Sequence, residues 1–497
     1  MTAIHTIVPE DEFADAQIGD LRLNARVVRV VRAIASSPSS SLPQIFQDPS
    51  QLEGAYRLLA NINVTPQALF DAHRLKTLAR AKLSDSVLII HDSSSFAFGG
   101  GSKKGMGVVD PFNIPGFYSH FSLCVAASSG RPLGLGWMHL WNRPDVIHGK
   151  RSQQSSQYDP DRESLRWNDA VQISDEELRL CGLSEVIHVM DREADCMELL
   201  ADMIAHQRDF VVRARIDRRL EPGQKATTNK LTAFFESLEA SLLSQVDIRK
   251  YKTKMEIQSK AQKATSGKEK ATVTKERKRK VSELIKRVAQ LEIRAARLTL
   301  YAGSGGHAHV PKEGLTVNVV EVKESDNSLV NDLERVHWML LSTLPINESS
   351  DIEKIISIYK KRWQIEEFHK ALKTGCKFEE HQFEHGERYA KMLIMYVPIA
   401  IKMLQLRWMT QHTPDAPASE VLDQDELEAL VAHEATRRKP LSSKATVSET
   451  LLVVARLGGH LPHNGPPGWL ILSRGFDYLH KITTGWRLAR PSFAPPT

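Results

Sequence analysis

Apolar residues recur along this chain at two periods, and the changes between them divide it. In "GDLRLNARVVRVVRAIA", Leu23, Val27, Val30, Val31 and Ile34 return at helical spacing, and the Ser/Pro-rich "SSPSSSLP" behind them predicts a stop. "DPSQLEGAYRLLANINVTPQALFDAHR" resumes the helical pattern. It holds a turn at 61–63 and a new start at Thr65 and Pro66, a cap followed by proline at the first helical position. From about residue 85 the pattern becomes that of strands. "SVLIIHD" is an apolar run ending in Asp92, and "YSHFSLCVAAS" and "LGLGWMHLWN", joined by "SGRP", predict a hairpin. A helical stretch near 160–182 follows. "EVIHVMDREADCMELLADMIAHQ" then reads as an apolar strand that ends in Asp191 and enters a helix, and "DFVVRAR" (209–215) adds another strand.

Residues 216–335 interrupt that alternation. Their centre, "KYKTKMEIQSKAQKATSGKEKATVTKERKRK", is strongly basic and poor in aromatics, which predicts a solvated or disordered loop. Beside a nucleic acid such a loop would track phosphates without reading sequence. "LEIRAARLTLYAG" and "LTVNVVEVKE" then alternate as strands. From about 390 onward the pattern is helical again, in "YAKMLIMYVPIAIKMLQLRWMTQ", "DQDELEALVAHEA", "VSETLLVVARLGGHL" and "WLILSRGFDYLHKIT".

Composition narrows the class. A chain of 497 residues is too long for one compact domain. Its 66 basic and 60 acidic residues leave a net charge of +6, which suits a nucleic-acid partner without demanding one. The four cysteines show no CxxC spacing, so a reducing compartment is expected and a structural zinc is not. No signal peptide and no apolar run near 18 residues is evident, so no membrane partner is expected.

The candidate chemistry is acidic. Three antiparallel strands, then helix, strand, helix and strand, is the order of an α/β, ribonuclease-H-like fold, and in open α/β sheets sites gather at the carboxyl ends of strands. Asp92 and Asp191 each occupy such an end, although an Asx-turn at Asp92 and a helix cap at Asp191 account for the same pattern. A third acid comes from "YKKRWQIEEFHKALK". At about 100° per residue, Tyr359, Arg362, Glu366, Lys370 and Lys373 fall within an arc of roughly 80°, with Glu366 near its centre. Glu367 lies about 100° away, and Ile365, Phe368 and Leu372 form the opposite, core-facing side. A solvated ladder Arg362–Glu366–Lys370 fits that spacing too, but capping and ladders do not predict three acids together. Carboxylates brought together repel unless a cation lies between them. Mg²⁺, a hard ion with oxygen ligands, is the natural choice. Two such ions can activate a water or a 3′-hydroxyl and stabilise the departing oxygen of a phosphodiester. Arg22, Arg26 and Arg29 lie along the flank of the first helix, as in a DNA reader or, alternatively, a solubilising surface.

Taken together, strand–Asp92, "VMDREAD", "RWQIEEFHKALKTG", "GDLRLNAR", "EGAYRLLAN" and "ARLGG" resemble the DDE transposases of the insertion-sequence-4 type, the group that includes the transposase of transposon five. The resemblance covers nearly the whole chain. It implies a helical DNA-end-binding domain (1–75) and a ribonuclease-H-like catalytic domain (76–390) with a mostly β insertion at about 216–335. A helical dimerisation domain (391–497) would follow. It makes Asp92, Asp191 and Glu366 the ligands of Mg²⁺, with Mn²⁺ as substitute, and gives the transposon-end phosphates to Tyr359, Arg362, Lys370 and Lys373. Trp338 and Trp363 become candidates to stack a base swung out during a hairpin step. The implied activity is cut-and-paste transposition on terminal inverted repeats, joining 3′ ends to target DNA, by a homodimer in the paired-end complex cutting in trans. The segment around Val447–Gly459, with Leu451, Leu452, Val454 and Ala455, is the candidate dimer contact, with a core helix as the alternative. The implied location is the bacterial cytoplasm. A nuclease without strand transfer and a non-enzymatic DNA-binding regulator are the alternative functions.

Overall fold

Capping and apolar spacing build the N-terminal helices of the computed structural model. It describes residues 6–101, 103–109, 114–143, 165–220, 229–256, 279–302, 310–325, 335–437, 439–461, 463 and 465–490. The chain forms two compact units, one of residues 1–215 with 354–497 and one of 216–353.

In the first unit, the Asp20 carboxylate caps α1 (Leu21–Ser36) by accepting from Arg22 N at 2.7 Å, and Val27, Val30, Val31 and Ile34 are buried. After the short α2 (Leu42–Ile45), Asp48 caps α3 (Pro49–Ala60), and Thr65 caps α4 (Pro66–Ala81) through the Ala68 N–H. A polar trio, two of whose members (His73 and Glu12) are buried, fastens α4 to the sheet. His73 Nε2 accepts from Leu135 N at 3.1 Å, so Nδ1 carries the hydrogen and donates to Glu12 at 2.7 Å. Arg80 donates to both Glu12 oxygens and to Leu133 O.

The sheet of this unit contains β1 (Ser86–Ala97), β2 (Gly107–Val109), β3 (Ile114–Ala126), β4 (Pro132–Trp141), β5 (Glu185–Met190) and β6 (Asp209–Arg213). Helices α5 (Leu165–Leu180) and α6 (Met197–Ala205) lie among them in sequence. β1, β3 and β4 are antiparallel, while β5 runs parallel to β1 and β6 parallel to β5, giving the order β4-β3-β1-β5-β6. The short β2 pairs with β3.

The strand read as ending at Asp92 runs on to Ala97, with Asp92 opposite Phe121. Residues Ser93, Ser94 and Ser95 carry too little apolar surface to read as strand, yet their backbone continues the β3 ladder. What stops near Asp92 is the parallel ladder to β5, whose last pair is Ile90 with Val189. Side chains alternate across the sheet. Ile89 packs with Leu78 of α4 and Leu178 of α5 on one face. Asp92 and Phe121 point to the other face, where Phe121 meets Phe368 edge-on at 5.4 Å.

The second unit holds α7 (Leu231–Ser237) and an antiparallel sheet in the order β7 (Leu242–Glu256), β8 (Arg279–Leu300), β9 (Leu315–Glu324), β10 (His337–Ser342). Leu291, Ile293, Val317, Val319 and Leu340 are in its core. The basic run expected as a loop is strand at both ends, since Lys250–Glu256 belongs to β7 and Glu256 pairs with Arg279. Lysine-rich sequence hides the alternation that ladder pairing imposes. Residues 257–278 of that run lie outside the described residues.

Helices complete the first unit: α8 (Ser349–Lys361), which enters it from the second, α9 (Trp363–Lys370), α10 (Gly386–His412), α11 (Gln424–Glu434), α12 (Val447–Leu457) and α13 (Trp469–Leu488). Contrary to the sequence reading, α10 is long and apolar enough to cross a membrane by length and composition. It is a core helix, with 89% of its apolar window buried. The candidate dimer contact on α12 is also corrected. Leu451, Val454 and Ala455 are buried, Leu451 and Val454 in a cluster with Leu406, Leu430 and Leu479, and only Leu452 of that run is exposed. α13 crosses α12 at Gly475, where a Cβ would stand 2.1 Å from Val454 O.

Candidate catalytic site

Asp191 stands at the carboxyl end of β5, where it caps a 3-10 turn (Arg192–Ala194) by accepting from Glu193 N at 2.8 Å. Capping therefore engages one of its oxygens. Asp92 lies just beyond the last pair of the adjacent parallel ladder and uses one oxygen to accept from Ser93 N at 2.8 Å. Its side chain is only 16% exposed. Burial pushes the Asp92 carboxyl up to about 7, the charge of Asp191 adds to the rise, and Arg362 and the Ser93 N–H oppose it. The other Asp92 oxygen lies 3.9 Å from His369 Nδ1. His369 is itself held neutral, its pKa lowered to about 3 by burial and then by the charge of Lys373.

Residues 359–373 do not form one regular helix. α8 stops at Lys361, Arg362 makes a turn, α9 restarts at Trp363, and a π-helical turn (Ala371–Gly375) follows. The core-facing side is as the spacing predicts, with Ile365, Phe368 and Leu372 fully buried. The members of the basic stripe each take a different partner. Arg362 Nη2 donates to Glu366 Oε1 at 2.5 Å, and its charge also bears on Asp92. Tyr359 is buried and shares a side-chain hydrogen bond with Arg213. Lys370 pairs with Glu367 at 2.8 Å and sits 4.7 Å from the Trp363 ring centre. Lys373 reaches across to Ser95 O and lies 5.0 Å from the ring centre of Phe96.

Glu367, placed off the stripe by the helical wheel, is a structural hub. It accepts from Trp363 Nε1 at 3.2 Å, Trp469 Nε1 at 3.1 Å and Lys370, and pairs with Arg407 at 2.7 Å. It thereby fastens α9 to α10 and α13.

The acids suit a divalent cation in charge and in their hard oxygen donors. The raised Asp92 pKa marks a carboxylate whose ionised form lacks compensation. In arrangement, however, no three His, Cys, Asp or Glu side chains among the described residues are grouped to hold an ion. Glu366 is engaged by Arg362 instead, so Asp92 and Asp191 are the pair that the geometry brings into mutual influence.

Among the remaining candidates, Arg22, Arg26 and Arg29 are exposed along α1. Trp363 is 53% exposed, whereas Trp338 lies in β10 of the second unit, half-buried and opposite Val322. Sequence reasoning missed Arg213 and His369. Arg213 ends β6 as Met190 ends β5 just before Asp191, so the strand-end rule could have found it. His369 follows Glu366 by three residues and faces the same way on the helix.

Comparison with known proteins bears on these placements. Residues 8–64 match the family model of transposase DNA-binding domains, and residues 170–399 match that of transposase DDE domains. The chain thus carries a transposase DNA-binding domain, within which Arg22, Arg26 and Arg29 fall. It also carries a transposase DDE domain, within which Asp191 and Glu366 fall. Asp92 precedes the second match. Among solved structures, the chain is similar to the piggyBac transposase in a synaptic complex with hairpin DNA. The TM-score is 0.35 at 9% identity, over 95% of this chain and 73% of that one, a likeness too loose to carry an argument.

Proposed function

We propose that this chain is a cut-and-paste DNA transposase of the insertion-sequence-4 type, akin to the transposase of transposon five. It binds the terminal inverted repeats of its own element, cleaves the ends through a hairpin step and joins the 3′ ends to target DNA. The observation that carries this reading is that Asp92 and Asp191 both stand just past the end of the parallel β1–β5 ladder, in a chain with matches to both transposase domains. The sheet order β4-β3-β1-β5-β6 supports a ribonuclease-H-like core, because the two acids then stand where its adjacent parallel strands separate.

In this reading Asp92, Asp191 and Glu366 would hold Mg²⁺, or Mn²⁺ in its place, and Arg362, now paired with Glu366, would face a DNA phosphate. The bound ions supply Lewis acidity for phosphodiester hydrolysis and transesterification. Arg362 is suited to a bidentate phosphate grip, while Lys370 and Lys373 act as point charges. Trp363 is the exposed aromatic available to a displaced base. Residues 1–75 bind the ends, 76–390 with the insertion at about 216–335 carry the chemistry, and 391–497 serve dimerisation. The working location is the bacterial cytoplasm, on the nucleoid.

The test is to incubate purified protein and Mg²⁺ with the DNA flanking its own gene and a target plasmid. Cut ends together with joined products support the proposal. Cut ends without joining favour a nuclease, and binding without cutting favours a regulator.

A further inference from the structure

On the sheet face opposite the two acids, four buried side chains stand in a row, the first three joined by hydrogen bonds and the last by an ionic contact. They are Ser122 of β3, His91 of β1, His188 of β5 and Asp175 of α5. Ser122 Oγ lies 2.9 Å from His91 Nδ1, and His91 Nε2 lies 2.9 Å from His188 Nδ1. His188 Nε2 lies 3.5 Å from Asp175 Oδ1, an ionic contact rather than a hydrogen bond, and neither of these two atoms has a hydrogen-bond partner. The second Asp175 oxygen takes Arg179 at 2.8 Å and Arg208 at 3.4 Å.

The carboxylate sets the direction of this row. An ionised Asp175 can only accept, so His188 carries its hydrogen on Nε2 and accepts at Nδ1. His91 must then donate from Nε2 and accept at Nδ1, and Ser122 donates. One placement of hydrogens satisfies both hydrogen bonds and turns the His188 Nε2–H toward the carboxylate. Turning the His91 ring, or moving its hydrogen, breaks both of its hydrogen bonds and strands further buried polar atoms.

The location gives this rigidity a use. His91 immediately precedes Asp92, and His188 lies three residues before Asp191. The backbone ladder between their strands ends at Ile90 and Val189, so the His91–His188 bond ties β1 to β5 beside that last pair. We propose that His91 and His188, locked between Ser122 and Asp175, are positioning residues that fix the spacing of Asp92 and Asp191. They thereby set how tightly that pair holds a divalent cation. The inference rests on the reading of Asp92 and Asp191 as metal ligands. Groups that orient ligands without touching the metal typically change affinity by about 10–100-fold.

The experiment titrates Mn²⁺ into the DNA-free full chain by calorimetry, with gel-shift binding of end DNA measured in parallel. The variants are His91→Leu, His188→Leu, His91→Gln and His188→Gln, with Asp92→Asn as reference. Glutamine keeps one acceptor and one donor in line, whereas leucine fills space without either. The leucine variants should weaken Mn²⁺ binding by about tenfold or more with end binding unchanged, and the glutamine variants should restore most of the affinity. Should the leucine variants fail to fold, Ser122→Ala, which removes the first donor alone, should still weaken Mn²⁺ binding severalfold. Leucine variants that bind Mn²⁺ like wild type, glutamine variants as impaired as leucine, or an unfolded leucine pair with wild-type Ser122→Ala overturn the proposal. If Asp92→Asn itself leaves Mn²⁺ affinity intact, the metal reading falls and the proposal with it. If Asp92→Asn abolishes binding while the leucine variants keep it, the proposal alone falls.

Discussion

Replacing Asp92 with asparagine keeps an acceptor for the Ser93 N–H but removes the charge that burial and Asp191 disfavour. The carboxyl titrates at about 7 in the folded chain, against an ordinary value of 3.8. Between those values the folded protein holds a proton that the unfolded chain has released. The contribution of this group to stability is therefore fully present below the unfolded value and is lost as pH rises through the folded one. At about 1.4 kcal/mol per unit, an interval of roughly three units makes about 4 kcal/mol the ceiling on what the ionised carboxylate costs above pH 7. With unfolding entropy near 2.1 cal/mol/K per residue, that ceiling shifts the melting temperature of the larger unit by about 5 °C. Thermal melts of wild type and Asp92→Asn in a chelator, from pH 4 to pH 8.5, should coincide at the acid end. The asparagine variant should melt higher at the alkaline end. Mn²⁺ added at pH 8 should then raise the wild type and leave the variant unmoved. Melting curves that stay parallel across the whole pH range would refute the reasoning.

Other perturbations separate structural from functional acids. Glu367→Ala should destabilise the first unit by about 2–3 kcal/mol, because it leaves Arg407 and Trp469 without their acceptor, whereas Glu366→Gln should melt like wild type. Glu12 is held at about 2, where burial would raise it but His73 and Arg80 more than compensate. Glu12→Gln should therefore lose about 3 kcal/mol above pH 4.5, a gap that closes as pH falls toward 2 in denaturation experiments. Single alanine changes at Arg22, Arg26 and Arg29 should weaken end binding in gel-shift titrations, a phosphate contact lowering the salt slope by about one. Three variants that bind like wild type would remove α1 from the DNA interface.

The parts of this molecule legible in sequence are those dictated by local rules. Thr65 announced a helix start because a cap needs only its own next few residues. Val27, Val30 and Ile34, like Ile365, Phe368 and Leu372, showed their buried faces through spacing alone. The parts that were hidden depend on distant partners. Ser93 to Ser95 are strand only because β3 runs beside them. The partners of the basic stripe were hidden too, because Tyr359 meets Arg213 and Lys373 meets Ser95 only through the fold. Glu367 was judged by its angle from Glu366, although its role is set by Arg407 and Trp469, more than thirty positions away. Leu451 and Val454 looked available for a partner because sequence does not show that α10 and α13 cover them.

The central claim is that Asp92, Asp191 and Glu366 serve cleavage rather than DNA binding or folding. Its most direct test measures the cutting rate at saturating end DNA and the end-binding affinity side by side, for Asp92→Asn, Asp191→Asn and Glu366→Gln. The account predicts that each substitution lowers the cutting rate by about a thousandfold or more, equivalent to roughly 4 kcal/mol of barrier, while affinity for the end stays near that of wild type. A variant that binds the end normally and still cuts at the wild-type rate would contradict it.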